Sequence, residues 1–247
     1  MLHDYKEVLV LLMVIHIIGD FYFQNENITS NKEKNLKWVV LYSSIYGFVY
    51  FSLIKIIIPS FNDSYLLMLI MSHLLIDIVK FYGMKNKFLV NRANYMFFMD
   101  QFLHFITLMI IAYFIVKSTM YYEYNLVLQD VLHTIGLPIQ SILFIALQFL
   151  LIHKPVNMAI VIMMQAYKPA NNNPNDTVKA GRMIGTIERI IMLFFLSIQQ
   201  YSSIGLVLTV KSIARYNKIS EDQMFAEYYL LGTLLSTLCV LMISLIC

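Results

Sequence analysis

Long apolar runs constrain this chain of 247 residues more than any other feature of its sequence. Apolar side chains make up 59% of the chain and charged side chains 13%, whereas globular domains carry about 25% charged residues. A run of about 20 apolar residues is long enough to cross a bilayer as a helix. The sequence predicts seven such spans, with six to eight compatible, at residues 5–23, 38–58, 64–83, 95–117, 136–153, 183–200 and 225–246.

These runs predict an all-α, polytopic transmembrane helix bundle that forms one integral-membrane domain over residues 1–247. The short apolar stretch 155–167 could be a re-entrant or interfacial piece. No cleaved signal peptide is predicted, because the first run is followed by Phe23 and polar residues rather than by a small-residue cleavage site. Cys239 and Cys247 lie in the last run and are interpreted as reduced packing residues.

Lysine and arginine are concentrated in alternate loops, which predicts the orientation of the chain. Basic residues cluster at 32–37, 85–92 and 154–182, and the intervening loops are poorer in them. By the positive-inside rule the basic loops face the cytoplasm and the N-terminus lies outside. Residues 211–218 are also basic, so the segment 183–216 must leave and return, and Ser202, Ser203 and Gly205 mark a plausible bend.

Three histidine–aspartate pairs lie inside the apolar runs of the first half, residues 1–118. Each pair is spaced by four residues, which places both side chains on one face of a helix, one turn apart. The order is His then Asp in the first and third spans and Asp then His in the fourth, so it inverts where the chain direction inverts. We therefore expect the pairs to lie at one depth, near the cytoplasmic face. They are His16 with Asp20, His73 with Asp77, and Asp100 with His104.

These six side chains are interpreted as the ligands of a buried divalent metal site. An ionised aspartate in mid-membrane costs about 2.5–3.5 kcal/mol, so three of them require compensation. Histidine with carboxylate suits Zn²⁺, with Mn²⁺ or Fe²⁺ as alternatives, and six candidates allow one or two ions. One of Asp20, Asp77 and Asp100 would act as a general base, which the sequence alone does not assign. The simpler alternative is a network of His–Asp hydrogen bonds between helices. Gln24, Lys80 and Gln101 are expected to hold the ligands in place or to contact the substrate.

A second polar group lies in the C-terminal half, residues 136–247. Arginines near a cytoplasmic helix end can hold a phosphate bidentately, which would make this group substrate-binding. The plainer alternative is membrane anchoring by basic residues together with Glu–Arg pairing, for example between Arg215 and Glu188 or Glu227. The candidate residues are Arg182, Glu188, Arg189, Lys211, Arg215 and Glu227.

The segments HIIGDFYFQ, SHLLIDIVK, DQFLH, GRMIGTIER, KSIARY and EYYLLGTLLS resemble an uncharacterised family of bacterial multi-spanning proteins, the domain of unknown function numbered 3307. Their positions run from about residue 8 to residue 240. This resemblance implies a bacterial inner membrane protein and supplies no activity. The HxxGD element, at His16–Asp20, is also similar to one in membrane-bound metal-dependent hydrolases, a partial likeness that omits the C-terminal third.

The leading functional prediction is a metal-dependent membrane hydrolase acting on a lipid or lipid-linked phosphate or ester at the cytoplasmic leaflet. The alternative is a transporter or channel for a divalent cation or proton that uses the same acids and imidazoles. The outer halves of spans 1, 3 and 4 are almost wholly apolar, which favours a one-sided site. A non-catalytic membrane partner or immunity-type protein with a structural metal is the third hypothesis. Membrane lipid is the expected partner, nucleic acid is not, and a homo-oligomer is left open.

Overall fold

The computed structural model describes residues 4–23, 32, 35–85, 93–118, 122–167 and 177–246. Within these residues the chain is helical and contains no β-strand, so the predicted all-α bundle is confirmed. Five helices are long and apolar enough to cross a membrane, and two further apolar helices are shorter. The long ones are Leu36–Ile57, Asp63–Met84, Asn94–Lys117, Ile139–Tyr167 and Gln223–Ser244, and the short ones are Leu126–Ile135 and Tyr201–Ile213.

The helices are numbered in chain order. In the first part of the chain they are α1 (Tyr5–Ile17, continued by a π-helical turn at Ile18–Tyr22), α2 (Leu36–Ile57), α3 (Asp63–Met84), α4 (Ala93–Lys117), α5 (Leu126–Ile135) and α6 (Ile139–His153). In the second part they are α7 (Pro155–Met164, continued by a 3₁₀ turn at Gln165–Tyr167), α8 (Thr177–Ser197), α9 (Tyr201–Ile213), α10 (Tyr216–Glu221) and α11 (Gln223–Ser244).

Local sequence signals explain where several of these helices begin and end. The side chains of Asn35, Asn62 and Asn125 each accept a hydrogen bond from the backbone N–H two residues later, at the starts of α2, α3 and α5. Asp222 caps α11 in the same way through the N–H of Phe225. Such caps satisfy backbone donors that a helix start leaves free. Gly136 ends α5 in the left-handed conformation, with φ 72°.

The chain folds as two compact units, Met1–Leu147 (unit 1) and Gln148–Cys247 (unit 2). In unit 1, α1 packs against α2 and α4, and α3 also packs against α2 and α4, so the four helices close a ring. Large apolar side chains such as Phe48, Leu75 and Phe102 point outward and are more than half exposed. An apolar outer surface is what a helix bundle presents to lipid.

In unit 2, α8 and α11 pack together, and both contact α7. Their shared core is aliphatic and consists of Ile152, Val156, Met192, Leu193, Val240 and Ile243. The stretch 155–167 does not stand apart from the preceding span, because α6 and α7 follow each other as one apolar stretch of 29 residues. Pro155 permits this because a proline at the first helical position lacks only an N–H that would be free there.

The chain reverses between α8 and α9 a few residues before the predicted bend. Ser202, Ser203 and Gly205 all lie within helix α9. The turn instead occupies Ile198–Gln200, where Gln199 has φ 57° and the N–H of Gln200 bonds to the carbonyl of Phe195. A serine can remain in a helix by bonding to the carbonyl of an earlier residue, so it is a weak bend signal.

Candidate metal centre

Helix α1 and the turn that follows it carry the first pair, His16 and Asp20, and the winding changes from α-helical to π-helical between them. His16 lies in the last turn of α1, and Asp20 lies in the π-helical turn that follows. Gly19 lets the Tyr46 ring approach the backbone, since a Cβ atom there would lie 2.7 Å from Tyr46 Cδ2. Single π-helical turns inside helices are frequent at functional sites.

The three histidines, from α1, α3 and α4, converge inside the four-helix ring of unit 1. His16, His73 and His104 are all at least 95% buried. Each imidazole offers one ligand atom, and these three atoms lie within 4.8 Å of one another. Among the described residues, Nε2 of each histidine and Nδ1 of His73 have no hydrogen-bond partner. Buried polar atoms without partners are rare and require an explanation.

Two tyrosines of α2 hold side chains of these histidine–aspartate pairs. The Tyr46 hydroxyl is 3.0 Å from His16 Nδ1, which leaves His16 Nε2 directed to the other imidazoles. The Tyr46 ring also stacks on His73 with 3.6 Å between centroids, and His73 stacks on His104 at 4.4 Å. The Tyr42 hydroxyl donates to Asp20 Oδ1 at 2.7 Å. Partners of this kind fix the orientation of a histidine that binds metal.

Each of the three buried aspartates accepts hydrogen bonds from described side chains. Gln101 donates to Asp20 Oδ2 at 3.0 Å and to Asp100 Oδ2 at 3.3 Å. Asp77 accepts from Ser43 at 3.2 Å. Asp100 Oδ1 has no partner among the described residues. The cluster therefore contains one buried carboxylate oxygen with a free lone pair beside the imidazoles.

Two lysines neutralise two of the carboxylates. Lys32 Nζ lies 3.0 and 2.9 Å from the two oxygens of Asp77 and stacks over the Tyr42 ring at 3.5 Å. Lys80 Nζ is 2.7 Å from Asp100 Oδ2. The negative charge of the cluster is therefore balanced in part by this chain's own ammonium groups.

The contacts between histidines and aspartates are too long to be direct hydrogen bonds. The distances are 3.6 Å for His73 Nε2 to Asp20 Oδ1, for His73 Nδ1 to Asp77 Oδ2, and for His104 Nε2 to Asp100 Oδ1. An N–H···O hydrogen bond normally spans 2.7–3.2 Å. The three contacts are ion-pair contacts, and both the metal site and the His–Asp network stay predictions.

The structure brings together all six residues of the predicted ligand set, hereafter the His/Asp cluster: His16, Asp20, His73, Asp77, Asp100 and His104. A second group that could hold an ion is formed by Asp77, Asp100 and His104. Of the expected supporting residues, Lys80 and Gln101 bind the cluster, whereas Gln24 lies outside the described residues. Their roles as ligands or supporting groups stay predictions.

Sequence reasoning missed the contributions of Tyr42, Tyr46, Ser43 and Lys32. A signal for the tyrosines was present, because Tyr42, Tyr46 and Tyr50 recur every four residues and therefore share one face of α2. Ser43 and Lys32 carried no comparable pattern. Their roles depend on which helices become neighbours in the folded bundle.

A further buried acid, Glu7, lies nine residues before His16 on α1 and was also overlooked. Tyr124 donates to Glu7 Oε1 at 2.7 Å, and Gln140 donates to Glu7 Oε2 at 3.2 Å. Burial, and then the bond to Glu7, raise the pKa of the Tyr124 hydroxyl, which keeps it a donor. Glu7 thus fastens α1 to the segment after α4 and to α6.

The residues predicted to bind substrate in unit 2 have different surroundings. Glu188 pairs with Lys211, 2.7 Å away, rather than with Arg215. Arg215 is exposed beside the Phe225 ring, Arg182 is exposed, and exposed Glu227 accepts from Gln223 at 3.2 Å. Arg189 is 2% exposed. The substrate-binding role of this group stays a prediction.

Residues 8–133 match the model of a family described as "Protein of unknown function (DUF3307)". The matched range contains the whole His/Asp cluster and ends within α5. The segments GRMIGTIER, KSIARY and EYYLLGTLLS, which also carry the resemblance, lie beyond the matched range. No curated protein and no solved structure matches the chain. The likeness to membrane-bound metal-dependent hydrolases stays a prediction.

Proposed function

The chain belongs to this family, DUF3307, and we propose that it is a metal-dependent hydrolase of the membrane whose divalent ion is held by His16, His73 and His104. One observation carries the proposal: three buried imidazoles present ligand atoms within 4.8 Å of one another, with Nε2 of each free of hydrogen bonds among the described residues. Neutral imidazole nitrogens are lone-pair donors that zinc and neighbouring divalent metals bind.

Three protein ligands favour catalysis over a purely structural role. Structural zinc sites usually have four protein ligands, whereas catalytic sites have three and keep one position open. An ion held there would supply Lewis-acid chemistry and lower the pKa of a water that it binds. Lys32 and Lys80 occupy oxygens of Asp77 and Asp100, which favours one ion over two. Zn²⁺ is the first candidate, with Mn²⁺ and Fe²⁺ as alternatives.

Among the three aspartates, Asp100 is the best candidate for the general base. Its Oδ1 is buried, has no partner among the described residues and lies 3.6 Å from His104 Nε2. Lys80 and Gln101 hold its other oxygen in place. A base positioned in this way can accept a proton from an attacking water. Both oxygens of Asp20 and of Asp77 already accept hydrogen bonds.

The proposed substrate is a lipid or a lipid-linked phosphate or ester. This assignment is supported by the position of four members of the cluster, His73, Asp77, Asp100 and His104, on two apolar helices of membrane-spanning length. We further propose that the protein lies in the bacterial inner membrane, as the family resemblance implies. The alternation of basic loops supports an orientation with the N-terminus outside and the site toward the cytoplasmic leaflet.

The first test is the metal content of purified full-length protein exposed to Zn²⁺, Mn²⁺ or Fe²⁺ and then freed of excess metal. We expect about one ion per chain in the wild type and in His133→Ala, which removes an exposed histidine of unit 1. We expect loss of the ion in His73→Ala and in His104→Ala. A wild type that retains no stoichiometric metal would contradict the proposal.

The second test separates enzyme from transporter in the metal-loaded protein. We expect hydrolysis of some member of a panel of phospholipids and lipid-linked phosphates, and a loss of at least about 100-fold in Asp100→Asn. Cation flux into liposomes without hydrolysis would instead identify a transporter. Bound metal with neither activity would favour a structural ion.

A further inference from the structure

Unit 2 contains a buried guanidinium whose hydrogen-bond partners among the described residues are neutral groups. Arg189 on α8 is 2% exposed. Its Nη1 donates to Ser236 Oγ at 3.2 Å, and its Nη2 donates to Thr186 Oγ1 at 3.3 Å and to Asn157 Oδ1. Among the residues that the structure describes, no carboxylate lies within 4.0 Å of it. A buried cation is normally paired with an anion, because burial without compensation is costly.

The neighbouring acid attracts the guanidinium only from beyond ion-pair distance. Glu188 precedes Arg189 in sequence, and its Oε2 lies 2.7 Å from Lys211 Nζ. The Lys211 ammonium group also lies 5.5 Å from the centre of the Tyr229 ring. Two cations, Arg189 and Lys211, therefore share one carboxylate among the described residues of this region. In the described part of unit 2, Arg189 therefore has no ion-pair partner, and its guanidinium is buried.

Hydrogen-bonding groups without partners lie in the same region. In the described part of unit 2, the buried side-chain atoms that lack a partner are Arg189 Nε, Tyr229 Oη and Thr233 Oγ1. Tyr229, Thr233 and Ser236 recur at intervals of four and three residues, so they share one face of α11. Ser236 on that face contacts Arg189 directly. All three free atoms can donate a hydrogen bond, and the guanidinium can only donate.

The backbone of α8 also accommodates the guanidinium. Gly185 lies one turn before Arg189, and a Cβ atom there would lie 3.3 Å from Arg189 Nη1. The absence of a side chain at 185 therefore allows the guanidinium to lie close against its own helix. Asn157 and Thr186 then fix its orientation, and Asn157 donates to Thr186 Oγ1 at 2.7 Å.

We propose that this region, hereafter the Arg189 cluster (Asn157, Thr186, Arg189, Tyr229, Thr233 and Ser236), binds a phosphate-type oxyanion. Arg189 Nε–H and the hydroxyls of Tyr229 and Thr233 donate to it, and the unbalanced positive charge attracts it. A tetrahedral oxyanion offers several acceptor oxygens to a set of donors of this kind, and arginine is the side chain best suited to phosphate. The phosphate is either that of a phospholipid headgroup or a free phosphate, since the recognising chemistry is the same.

The test uses full-length protein in detergent, freed of co-purified lipid. Thermal unfolding is followed as inorganic phosphate replaces chloride at constant ionic strength. In a second arm, native mass spectrometry measures retention of phosphatidic acid, phosphatidylglycerol and phosphatidylcholine. The variants are Arg189→Gln and the control Lys218→Gln, which removes an exposed basic residue of unit 2 outside the cluster.

We expect the wild type and Lys218→Gln to bind phosphate or the anionic lipids equally well, and Arg189→Gln to bind them about tenfold more weakly or not at all. Stabilisation by inorganic phosphate indicates a free phosphate, and retention of anionic lipid alone indicates a headgroup. If Arg189→Gln does not fold, Tyr229→Phe and Thr233→Val decide the question, and we expect several-fold weaker binding in each. No binding by the wild type, or binding that all variants retain equally, would overturn the proposal.

Discussion

Within the described residues, the buried atoms without hydrogen-bond partners in the His/Asp cluster of unit 1 are imidazole nitrogens and one carboxylate oxygen, whereas in the Arg189 cluster of unit 2 they are an N–H and two hydroxyls. The first set can present lone pairs, and the second can present hydrogens. The charges of the described side chains differ in the same way: three carboxylates face two lysines in the first cluster, while the guanidinium of the second has no ion-pair partner. Two polar clusters in apolar helices can therefore be complementary to ligands of opposite charge.

The difference also shows why the number of charged residues is a poor guide to function in a membrane protein. Lys32 and Lys80 would each suggest an anion site if they were considered alone, yet each binds an aspartate. Likewise Glu188 and Arg189 are neighbours in sequence, yet Lys211 binds the glutamate. The groups left over after such pairing, rather than the residue types present, determine what a cluster can bind.

The variant with the largest expected effect tests whether Lys80, rather than a metal ion, neutralises the charge of Asp100 in the His/Asp cluster. Lys80→Met leaves Asp100 buried with only Gln101 as a donor to Oδ2. We expect a loss of about 2–4 kcal/mol in the free energy of unfolding, below that of a fully buried pair because a third of the Lys80 side chain is exposed. Chemical unfolding of metal-free protein measures this loss.

Lys80→Met/Asp100→Asn is the matched control, because it removes the lone charge together with its partner. This double variant should recover most of the lost stability. If Lys80→Met is as stable as the wild type, Lys80 does not neutralise Asp100. The two clusters would then not differ in whether their buried charges are paired.

A second experiment tests whether Tyr46 orients a metal ligand. Tyr46→Phe keeps the ring that stacks on His73 but removes the hydroxyl 3.0 Å from His16 Nδ1. Loss of such a partner typically lowers metal affinity about 10–100-fold, and competition with a fluorescent chelator measures the change. Tyr50→Phe, which removes only a bond to the carbonyl of Leu12, should leave metal affinity unchanged. An equal loss in both variants would indicate a general packing effect.

The sequence was sufficient for the fold class and for the residues of the His/Asp cluster. Runs of apolar residues predicted long helices because a bilayer requires internally bonded backbone. The four-residue spacing of His16 with Asp20, and its reversal at Asp100 and His104, predicted that the side chains would share one region of the bundle. Both patterns can be recognised in the sequence without knowing which helices become neighbours.

Pairing between distant residues could not be predicted in the same way. Lys32 contacts Asp77 across 45 residues of sequence, and Lys211 contacts Glu188 across 23. Several basic residues lay within plausible reach of each acid, and no sequence spacing distinguishes among them. Among the described residues, Arg189 has no ion-pair partner because Glu188 binds Lys211 instead. This feature therefore could not be predicted from the sequence either.

A third experiment compares the two glycines that lie against the clusters. A Cβ atom at Gly19 would lie 2.7 Å from the buried Tyr46 ring, whereas one at Gly185 would lie 3.3 Å from Arg189 Nη1, a less severe contact. We expect Gly19→Ala to lower the free energy of unfolding by about 1–2 kcal/mol through overpacking. Gly185→Ala should be near neutral, because alanine's helix propensity offsets a small side-chain shift. Urea unfolding measures the change in the free energy of unfolding for each variant. Equal losses would mean that the two clusters tolerate an added methyl group equally well.

The smallest expected effect concerns the balance of charge in the Arg189 cluster. Glu188→Gln removes the carboxylate that Lys211 binds and leaves two cations beside the proposed oxyanion site. At partial burial, one additional unbalanced charge should strengthen phosphate binding about fivefold, or about 1 kcal/mol. Glu227→Gln is the matched control, because it removes an exposed glutamate of unit 2 that contacts only Gln223 among the described side chains. Isothermal titration with inorganic phosphate, or lipid retention where the headgroup is the ligand, measures the affinities. Weaker binding in Glu188→Gln would mean that Glu188 supports the site, and the region would then not act as an uncompensated cation.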